Sequence, residues 1–180
     1  MGRLKLQMQV TVDGRDHDGG DDSSWDEVRD YSARLLEGAD TIVLGGKTAA
    51  GFIPYWDELA GRAGHAWQGV ARQISAARKV VFSRSVEDPG WANTRIERGE
   101  LAGAIRRLKD ASAKDLVVYG GISFVASLAQ ARLIDEYHLF VNPVAGGRGR
   151  SIFDGMQEPL KLQLRRTIPF DSGRVLLHYE

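Results

Sequence analysis

Apolar and polar residues alternate at the start of the chain. From Leu4 to Val12 every second residue is apolar, which is the period-two pattern of a β-strand. Asp13-Gly14 then predicts a turn. Further on, Ser24 and Glu27 have the spacing of a helix-capping box. The apolar residues that follow at helical spacing predict an amphipathic helix, which ends near Gly38.

Short apolar runs in the middle of the chain predict buried strands, with amphipathic helices between them. The predicted strands are Thr41–Leu44, Lys79–Ser83 and Asp115–Tyr119, and the predicted helices run from Leu101 to Leu108 and from Phe124 to Ala131. Glycine and proline interrupt the stretch 49–77 at several points, so short helices and loops are expected there.

The last third of the chain predicts strands that are joined by turns. They are Glu136–Val141, a run that alternates from Leu160 to Leu164, and Val175–Tyr179, with a flexible turn at Gly146–Gly149. Strands that alternate with helices early and are joined by turns late predict an α/β fold. Its central sheet is mostly parallel, with an antiparallel C-terminal edge and flanking helices. Residues 1–180 are expected to form a single domain.

Composition narrows the classes of function. Lysine plus arginine number 24 and aspartate plus glutamate number 24, so the chain lacks the overall positive field on which binders of nucleic acid or anionic membranes rely. No cysteine is present, which excludes disulfides, thiolate zinc sites and cysteine nucleophiles. No signal peptide or membrane span is recognised, and we expect a cytoplasmic protein.

The histidines give no sign of a metal site. His17, His65, His138 and His178 are scattered singly, and no histidine or carboxylate spacing typical of a metal centre is found. We therefore expect no bound metal, and we interpret His138 and His178, which lie within strand patterns, as structural or surface residues.

The clearest chemical signal is a strand that breaks at Gly120-Gly121 and enters a helix through Ile122, Ser123 and Phe124. Glycines let a ligand approach the bare backbone, and the free amides of a helix start attract phosphate. The segment is consistent with a pyrophosphate site. It is equally consistent with a simple turn, because it is not the Gly-x-Gly-x-x-Gly fingerprint.

Two other strand ends carry donors or cations. Gly45-Gly46-Lys47-Thr48 follows one strand, and Ser83-Arg84 ends another. Lysine and arginine bind phosphate, although an exposed lysine at a turn needs no ligand. Because ligands of open α/β sheets collect beyond the carboxyl ends of the strands, we expect the three corners to converge on one extended, phosphorylated ligand.

The order of these segments resembles the dihydrofolate-reductase-like family that includes the reductase domain of the bifunctional riboflavin-biosynthesis deaminase-reductase. The similar segments are Val10-Thr11-Val12-Asp13-Gly14, Ser23-Ser24-Trp25, Leu44 to Thr48, Val80 to Arg84, Val118 to Gly121, and Leu133 to Tyr137 running on to Val141-Asn142-Pro143-Val144. The resemblance implies a three-layer dihydrofolate-reductase-like fold.

The resemblance also implies an NADPH site and assigns roles to its residues. Gly46, Lys47, Thr48, Ser83 and Arg84 would hold the phosphates on the adenosine side, and Gly120, Gly121, Ile122, Ser123 and Phe124 would lie under the pyrophosphate. The backbone of Gln9 and Val10 would meet the nicotinamide carboxamide. Asp13, Ser23 and Trp25 would contact the substrate. Lys47 and Arg84 favour NADPH over NADH, since they could bind the extra 2′-phosphate.

The chain departs from the family's patterns in two places. Riboflavin-type reductases carry a substrate-binding glutamate just before the second glycine motif, where this chain has Tyr119. Folate enzymes place an acidic residue on the first helix to protonate the substrate, and Asp26 or Asp30 is the candidate here. A solvated helix face is the alternative interpretation of these two aspartates.

The predicted function is that of an NADPH-dependent oxidoreductase. It transfers a hydride to a small heterocyclic or sugar-imine substrate and resembles 5-amino-6-(5-phosphoribosylamino)uracil reductase of riboflavin biosynthesis. Hydride chemistry belongs to the cofactor, so few catalytic side chains are needed. The alternatives are a dihydrofolate or pterin reductase, a non-catalytic nucleotide-binding domain, and a flavin enzyme. Because relatives are often dimers, we expect the strand around Tyr137–Val141 to pair or pack across the axis of a homodimer.

Overall fold

The computed structural model describes residues 1–16, 25–87 and 89–180. The strands are β1 Leu4–Thr11, β2 Ala39–Gly45, β3 Arg78–Phe82, β4 Thr94–Glu97, β5 Asp115–Val118, β6 Glu136–Asn142, β7 Leu164–Pro169 and β8 Val175–Tyr179. The helices are α1 Trp25–Glu37, α2 Gly46–Gly61, α3 Gln68–Ala76, α4 Leu101–Ala111 and α5 Ile122–Gln130. None of the helices in these ranges is long and apolar enough to cross a lipid bilayer.

All eight strands form one sheet in the order β4-β3-β2-β5-β1-β6-β8-β7. The six strands from β4 to β6 are parallel, and β8 and β7 follow as antiparallel neighbours. The predicted α/β fold, mostly parallel with an antiparallel C-terminal edge, is confirmed. Parallel pairing brings the carboxyl ends of β3, β2, β5, β1 and β6 to the same edge of the sheet.

Helices cover both faces of the sheet, which gives the predicted three layers. On one face, Leu6 of β1 packs in a core with Ile105 of α4 and Val125 of α5. On the other, Ile42 of β2 packs with Ile53 of α2 and with residues of α1 and α3. Since parallel strands are stable when both faces are buried, this double cover is the arrangement that the apolar middle strands require.

The polar side of β1 is buried rather than solvated. Leu4, Leu6 and Val10 face the α4–α5 core, so the intervening Gln7 and Thr11 face the layer of α1–α3 and are 5% and 4% exposed. Buried polar side chains need partners. Gln7 finds one by donating from Nε2 to Oγ of Ser32 on α1 at 2.7 Å.

The stretch 49–77 differs from its prediction. It contains most of the continuous 16-residue helix α2 and all of the helix α3, where short helices and loops were expected. Pro54 lies inside α2, but it is exposed. The carbonyl group that its ring deprives of a partner can therefore be hydrated. Ala49, Ile53 and Leu59 anchor the opposite side of the helix in the core.

The two edges of the sheet were predicted incompletely. The four-residue strand β4 was missed, because it is short and only partly buried. The alternating run from Leu160 becomes strand only from Leu164. Just before it, Gln163 exchanges two backbone hydrogen bonds with Glu180.

The predicted dimer contact through β6 is wrong as stated. This strand lies between β1 and β8, so both of its backbone edges are already paired. Tyr137 and Phe140 are buried on its two faces. The open edges of the sheet belong to β4 and β7, and the oligomeric state stays a prediction without a contact assigned to it.

Replacing Leu6 by alanine should destabilise the protein by roughly 2–5 kcal/mol, the usual cost of a cavity in a core. Leu6 is fully buried, whereas Leu164 is 51% exposed in a strand at the sheet edge. The Leu164→Ala control should therefore change the free energy of unfolding by less than about 0.5 kcal/mol. Urea denaturation measures both values, and equal effects would contradict the assigned core.

Candidate functional site

The ends of β2, β3 and β5 touch one another at the carboxyl edge of the sheet. A Cβ atom built on Gly46 would lie 2.7 Å from the Cβ atom of Ser83, so only glycine fits without a shift. The amide of Gly121 donates to Oγ1 of Thr48 at 2.8 Å. The structure therefore brings the three predicted corners together, and we call residues 45–48, 83–84 and 120–124 the rim.

The rim carries groups that suit phosphate. Helices α2 and α5 both begin there, and neither N-terminus has a side-chain cap. Their first amides and the helix dipoles therefore favour an anion. Lys47 and Arg84 are exposed, and no ion pair joins either of them to another residue of the described ranges. A third cation, Arg150, donates to Oγ of Ser123 at 3.0 Å.

Gly120 forms an open step in the rim. Its φ angle is +140°, which L side chains rarely adopt, and nothing lies within 4 Å of a Cβ atom built on it. The Gly120–Gly121 peptide bond is cis. The hydroxyl group of Ser83 already accepts from the amide of Val86 at 3.0 Å. Thr48 accepts from Gly121, so both hydroxyl groups can still donate to a ligand.

Beside the rim, the backbone of β1 has a free edge. The carbonyl oxygen of Val10 accepts from Nδ2 of Asn142 on the β6 side. Successive residues of a strand direct their backbone groups to opposite neighbours, so those of Gln9 point toward β5. The pairing of β5 with β1 ends at Leu6. The predicted nicotinamide contact involved the backbone of both Gln9 and Val10. Only the backbone of Gln9 is available to a ligand, since that of Val10 points toward β6.

A cavity of about 780 Å³ lies between this part of the sheet and helices α1, α2 and α3. Its aromatic lining consists of Trp25, Phe52, Tyr55, Trp56, Trp67 and Tyr119. Its other described lining residues are Gln7, Met8, Gln9, Val28, Ser32, His65, Val70 and Ile74. The volume and the largely apolar wall are typical of small-molecule sites.

Tyr119 connects the cavity to the rim, since it immediately precedes Gly120. Its ring stacks on Phe52 with centroids 5.7 Å apart. Its hydroxyl group is buried and has no hydrogen-bond partner in the described part of the chain, and the same holds for Oε1 of Gln7 and of Gln9. Burial raises the pKa of Tyr119 well above its usual range. The phenol therefore stays neutral and able to donate.

Comparison with known proteins identifies a family. The sequence profile of the RibD C-terminal domain matches residues 3–176. The chain belongs to the RibD C-terminal domain family. The resemblance found on the strand-end segments is thereby confirmed.

Similar proteins include both short and longer chains. "Uncharacterized protein YyaP" of Bacillus subtilis (strain 168) is 27% identical over 183 residues, which cover 98% of this chain and 94% of the relative. "Riboflavin biosynthesis protein RibD" of Corynebacterium ammoniagenes is 26% identical over 158 residues, covering 83% of this chain and 45% of the relative. The chain thus spans about half the length of that second protein.

A solved structure shows the same fold. It is the diaminohydroxyphosphoribosylaminopyrimidine deaminase/5-amino-6-(5-phosphoribosylamino)uracil reductase of Thermotoga maritima, which superposes with a TM-score of 0.68. Sequence identity is 18%, and the match covers 99% of this chain and 56% of that one. At this identity the likeness concerns architecture only.

Of the three predicted substrate residues of this RibD C-terminal domain, the structure places one at the cavity and one away from it, and the third lies outside the described residues. Trp25 begins α1 and lines the cavity. Ser23 lies outside the described residues. Asp13 is exposed, and its carboxylate accepts from the amides of Gly146 and Gly147 at 3.2 and 3.0 Å. Asp13 thus holds this loop and is not among the described lining residues of the cavity; its substrate contact stays a prediction.

The catalytic prediction for Asp26 and Asp30 is corrected by their position. Their side chains are 67% and 58% exposed, and both pair with Arg29 on the outer side of α1. The side of α1 that borders the cavity carries Trp25, Val28 and Ser32 instead. The solvated helix face, the alternative interpretation of these aspartates, is the one that fits.

Sequence reasoning missed most of the cavity wall. Phe52, Tyr55 and Trp56 have the i, i+3, i+4 spacing of one helix face, a signal that was hidden by the glycines and proline around them. The alternating pattern presents Gln7 and Gln9 only as the polar positions of a strand. Arg150 carried no signal, because it reaches Ser123 across 27 residues of sequence.

One cluster in the described residues combines three side chains of metal-ligand type, which the sequence analysis did not foresee. One potential ligand atom from each of Glu136, His138 and His178 lies within 4.8 Å of the others. The two imidazole rings are stacked 4.2 Å apart at 20°. Nearly parallel rings direct their nitrogens side by side rather than at one centre, which does not suit tetrahedral coordination.

Neighbouring cations already balance this cluster. Oε1 of Glu136 lies 3.0 Å from Arg3 and 3.5 Å from Lys5, and its Oε2 lies 3.0 Å from Nε2 of His138. Burial opposes ionisation of Glu136, but the hydrogen bond with His138 and the charges of Lys5 and Arg3 outweigh it. The pKa of this carboxyl group is lowered to about 2. We interpret the cluster as a charge network that joins β1, β6 and β8.

Replacing Glu136 by glutamine should change the acid stability of the protein. The pKa of Glu136 falls from 4.5 to about 2 on folding, so its ionised form stabilises the fold above pH 4.5. This contribution is lost as the pH falls toward 2. In Glu136→Gln, the free energy of unfolding should be lower at pH 7, and it should fall less steeply between these two pH values.

The control is Glu158→Gln, since the Glu158 side chain is 83% exposed. Its stability should follow the wild-type curve at every pH. Urea denaturation across the acidic range provides the measurement. Parallel curves for wild type and Glu136→Gln would show that Glu136 is not ionised at a lowered pKa.

Proposed function

We propose that this protein is an NADPH-dependent reductase that transfers a hydride to a small heterocyclic or imine substrate. The observation that carries the proposal is the continuity between the phosphate-suited rim and the aromatic cavity, which meet at Tyr119 and Gly120. A dinucleotide with its phosphates on the rim can extend one end to the backbone of Gln9. That end then faces the cavity, where a second molecule can be held against it.

The named functions of two similar proteins support this proposal. The Thermotoga maritima neighbour is named as a uracil reductase with a phosphoribosylamino substituent on its substrate, and the Corynebacterium ammoniagenes relative is named for riboflavin biosynthesis. Both contain segments outside the part that this chain matches. The proposal that this chain catalyses a reduction thus rests on its own rim and cavity, and the functions for which these relatives are named support it.

The residues of the rim fit a dinucleotide phosphate. Gly120 leaves space where a side chain would stand, and the uncapped starts of α2 and α5 direct their amides outward. Lys47 and Arg84, two exposed cations of the rim, would bind the 2′-phosphate that distinguishes NADPH from NADH. When bound, the cofactor supplies a hydride, while the protein supplies position and environment.

The cavity would align the acceptor and shield it from water. Stacked aromatic rings fix the plane of a ring-shaped substrate, and the neutral hydroxyl group of Tyr119 can polarise an acceptor atom by donating a hydrogen bond. The product also gains one proton. No carboxylic acid is found among the described lining residues, and solvent water at the cavity mouth could supply this proton.

Replacing Lys47 or Arg84 by alanine should lower the affinity for NADPH about three- to tenfold, the usual effect of losing one exposed charge-assisted contact. Affinity for NADH should change less than about twofold, since NADH lacks the 2′-phosphate. Energy transfer from the cavity tryptophans to the reduced nicotinamide measures binding of both cofactors.

The matched control is Arg62→Ala, which removes an exposed cation at the far end of α2, where Arg62 pairs with Glu58. Its affinity for both cofactors should equal that of the wild type. No NADPH binding below about 1 mM would contradict the proposed function. Equal losses for NADPH and NADH would contradict the 2′-phosphate assignment.

A further inference from the structure

The described wall of the cavity offers hydrogen bonds but no aspartate, glutamate, lysine or arginine side chain. The imidazole among its lining residues, His65, accepts through Nδ1 from the amide of Trp67 at 3.1 Å. An anionic substrate group would therefore meet no lysine or arginine among the described lining residues.

Residues 17–24, which precede α1, lie outside the described residues, so only their composition bears on a phosphate group. Residues 17–24 read His-Asp-Gly-Gly-Asp-Asp-Ser-Ser, with three aspartates and neither lysine nor arginine. Removing a phosphate dianion from water without a cation is strongly unfavourable. The composition of this segment thus points the same way as the described wall.

The aromatic side chains favour a flat ligand. The ring of Trp67 meets Trp56 with centroids 5.8 Å apart and Trp25 at 6.0 Å. Phe52 continues this group, since its ring lies 5.9 Å from Trp56 and stacks on Tyr119. Side chains of this kind present extended apolar faces and bind conjugated rings by stacking.

The polar atoms of the wall indicate which hydrogen-bonding groups such a flat ligand would carry along its edge. Oε1 of Gln7 and Oε1 of Gln9 are acceptors, and both lack a partner among the described residues. The orientation of Gln7 is fixed, because its Nε2 donates to Ser32 and leaves Oε1 to accept. Ligand N–H groups would satisfy these oxygens, and the hydroxyl group of Tyr119 could bind an acceptor of the ligand.

We propose that the cavity takes an uncharged, planar, conjugated ring that carries N–H donors and no phosphate, and that Gln7, Gln9 and Tyr119 bind its edge. This inference rests on the proposed function, because it names the class of acceptor that the reductase reduces. It sets this chain apart from the Thermotoga maritima neighbour, whose name specifies a phosphorylated substrate.

A series of three ligands with one ring tests the proposal: 5,6-diaminouracil, 5-amino-6-ribosylaminouracil and the 5′-phosphate of the latter. Quenching of tryptophan fluorescence reports binding, since Trp25, Trp56 and Trp67 line the cavity. Each titration is made without cofactor and with saturating NADP⁺, which keeps the phosphate ligand off the rim. The phosphate should weaken binding at least about tenfold relative to its matched nucleoside.

Two variants locate the effect. Tyr119→Phe should weaken binding of 5,6-diaminouracil about five- to tenfold and leave NADP⁺ affinity within about twofold. The matched control is Tyr137→Phe, because the hydroxyl group of Tyr137 is also buried without a partner but lies in the α4–α5 core. His65→Arg places a cation at an exposed position of the wall and should strengthen binding of the phosphorylated ligand.

The outcomes separate this inference from the proposed function. Tighter binding of the phosphorylated ligand with NADP⁺ present overturns the inference, and so does failure of both unphosphorylated ligands to bind below about 1 mM. A protein that prefers the uncharged rings but binds neither NADP⁺ nor NADPH supports the inference and contradicts the proposed function alone.

Discussion

Parallel pairing of five neighbouring strands is the constraint from which the site follows. Because β3, β2, β5, β1 and β6 run in one direction, their carboxyl ends meet at one edge, and the register pairs Gly45 with Phe82 there. The loops that leave these neighbouring strands therefore lie side by side. Two of them enter helices directly, so the amides of α2 and α5 point at the same region. The rim is thus a consequence of topology.

Unequal strand lengths create the second half of the site. β5 ends at Val118, whereas β1 continues to Thr11, and the difference exposes the backbone of Gln9 beside Tyr119. The side chains on this face of β1 are polar although helices cover them. Glutamines on a central strand make this part of the core less apolar. In this fold their buried Oε1 atoms lie at the cavity, where a ligand would need hydrogen bonds.

The sequence predicted the rim better than the cavity, for a physical reason. Strand ends with glycines, such as Gly45-Gly46 and Gly120-Gly121, are local patterns, and topology rules say where they meet. The cavity depends on α2 and α3, whose apolar spacing was masked by Pro54 and several glycines. The network of Glu136 with His178 depends on the pairing of β6 with β8, which brings together residues that are 42 positions apart. Asp26 and Asp30 failed as candidates because helical register, and not residue type, decides which side chains face the sheet.

A crystal structure of the protein with NADP⁺ tests the central claim most directly. The account predicts the 2′-phosphate between Lys47 and Arg84, the pyrophosphate above Gly120 and the start of α5, and the nicotinamide beside the backbone of Gln9 with one face open to the aromatic cavity. A cofactor bound elsewhere on the sheet, or a nicotinamide that points away from Tyr119, would contradict the claim that the rim and the cavity form one site.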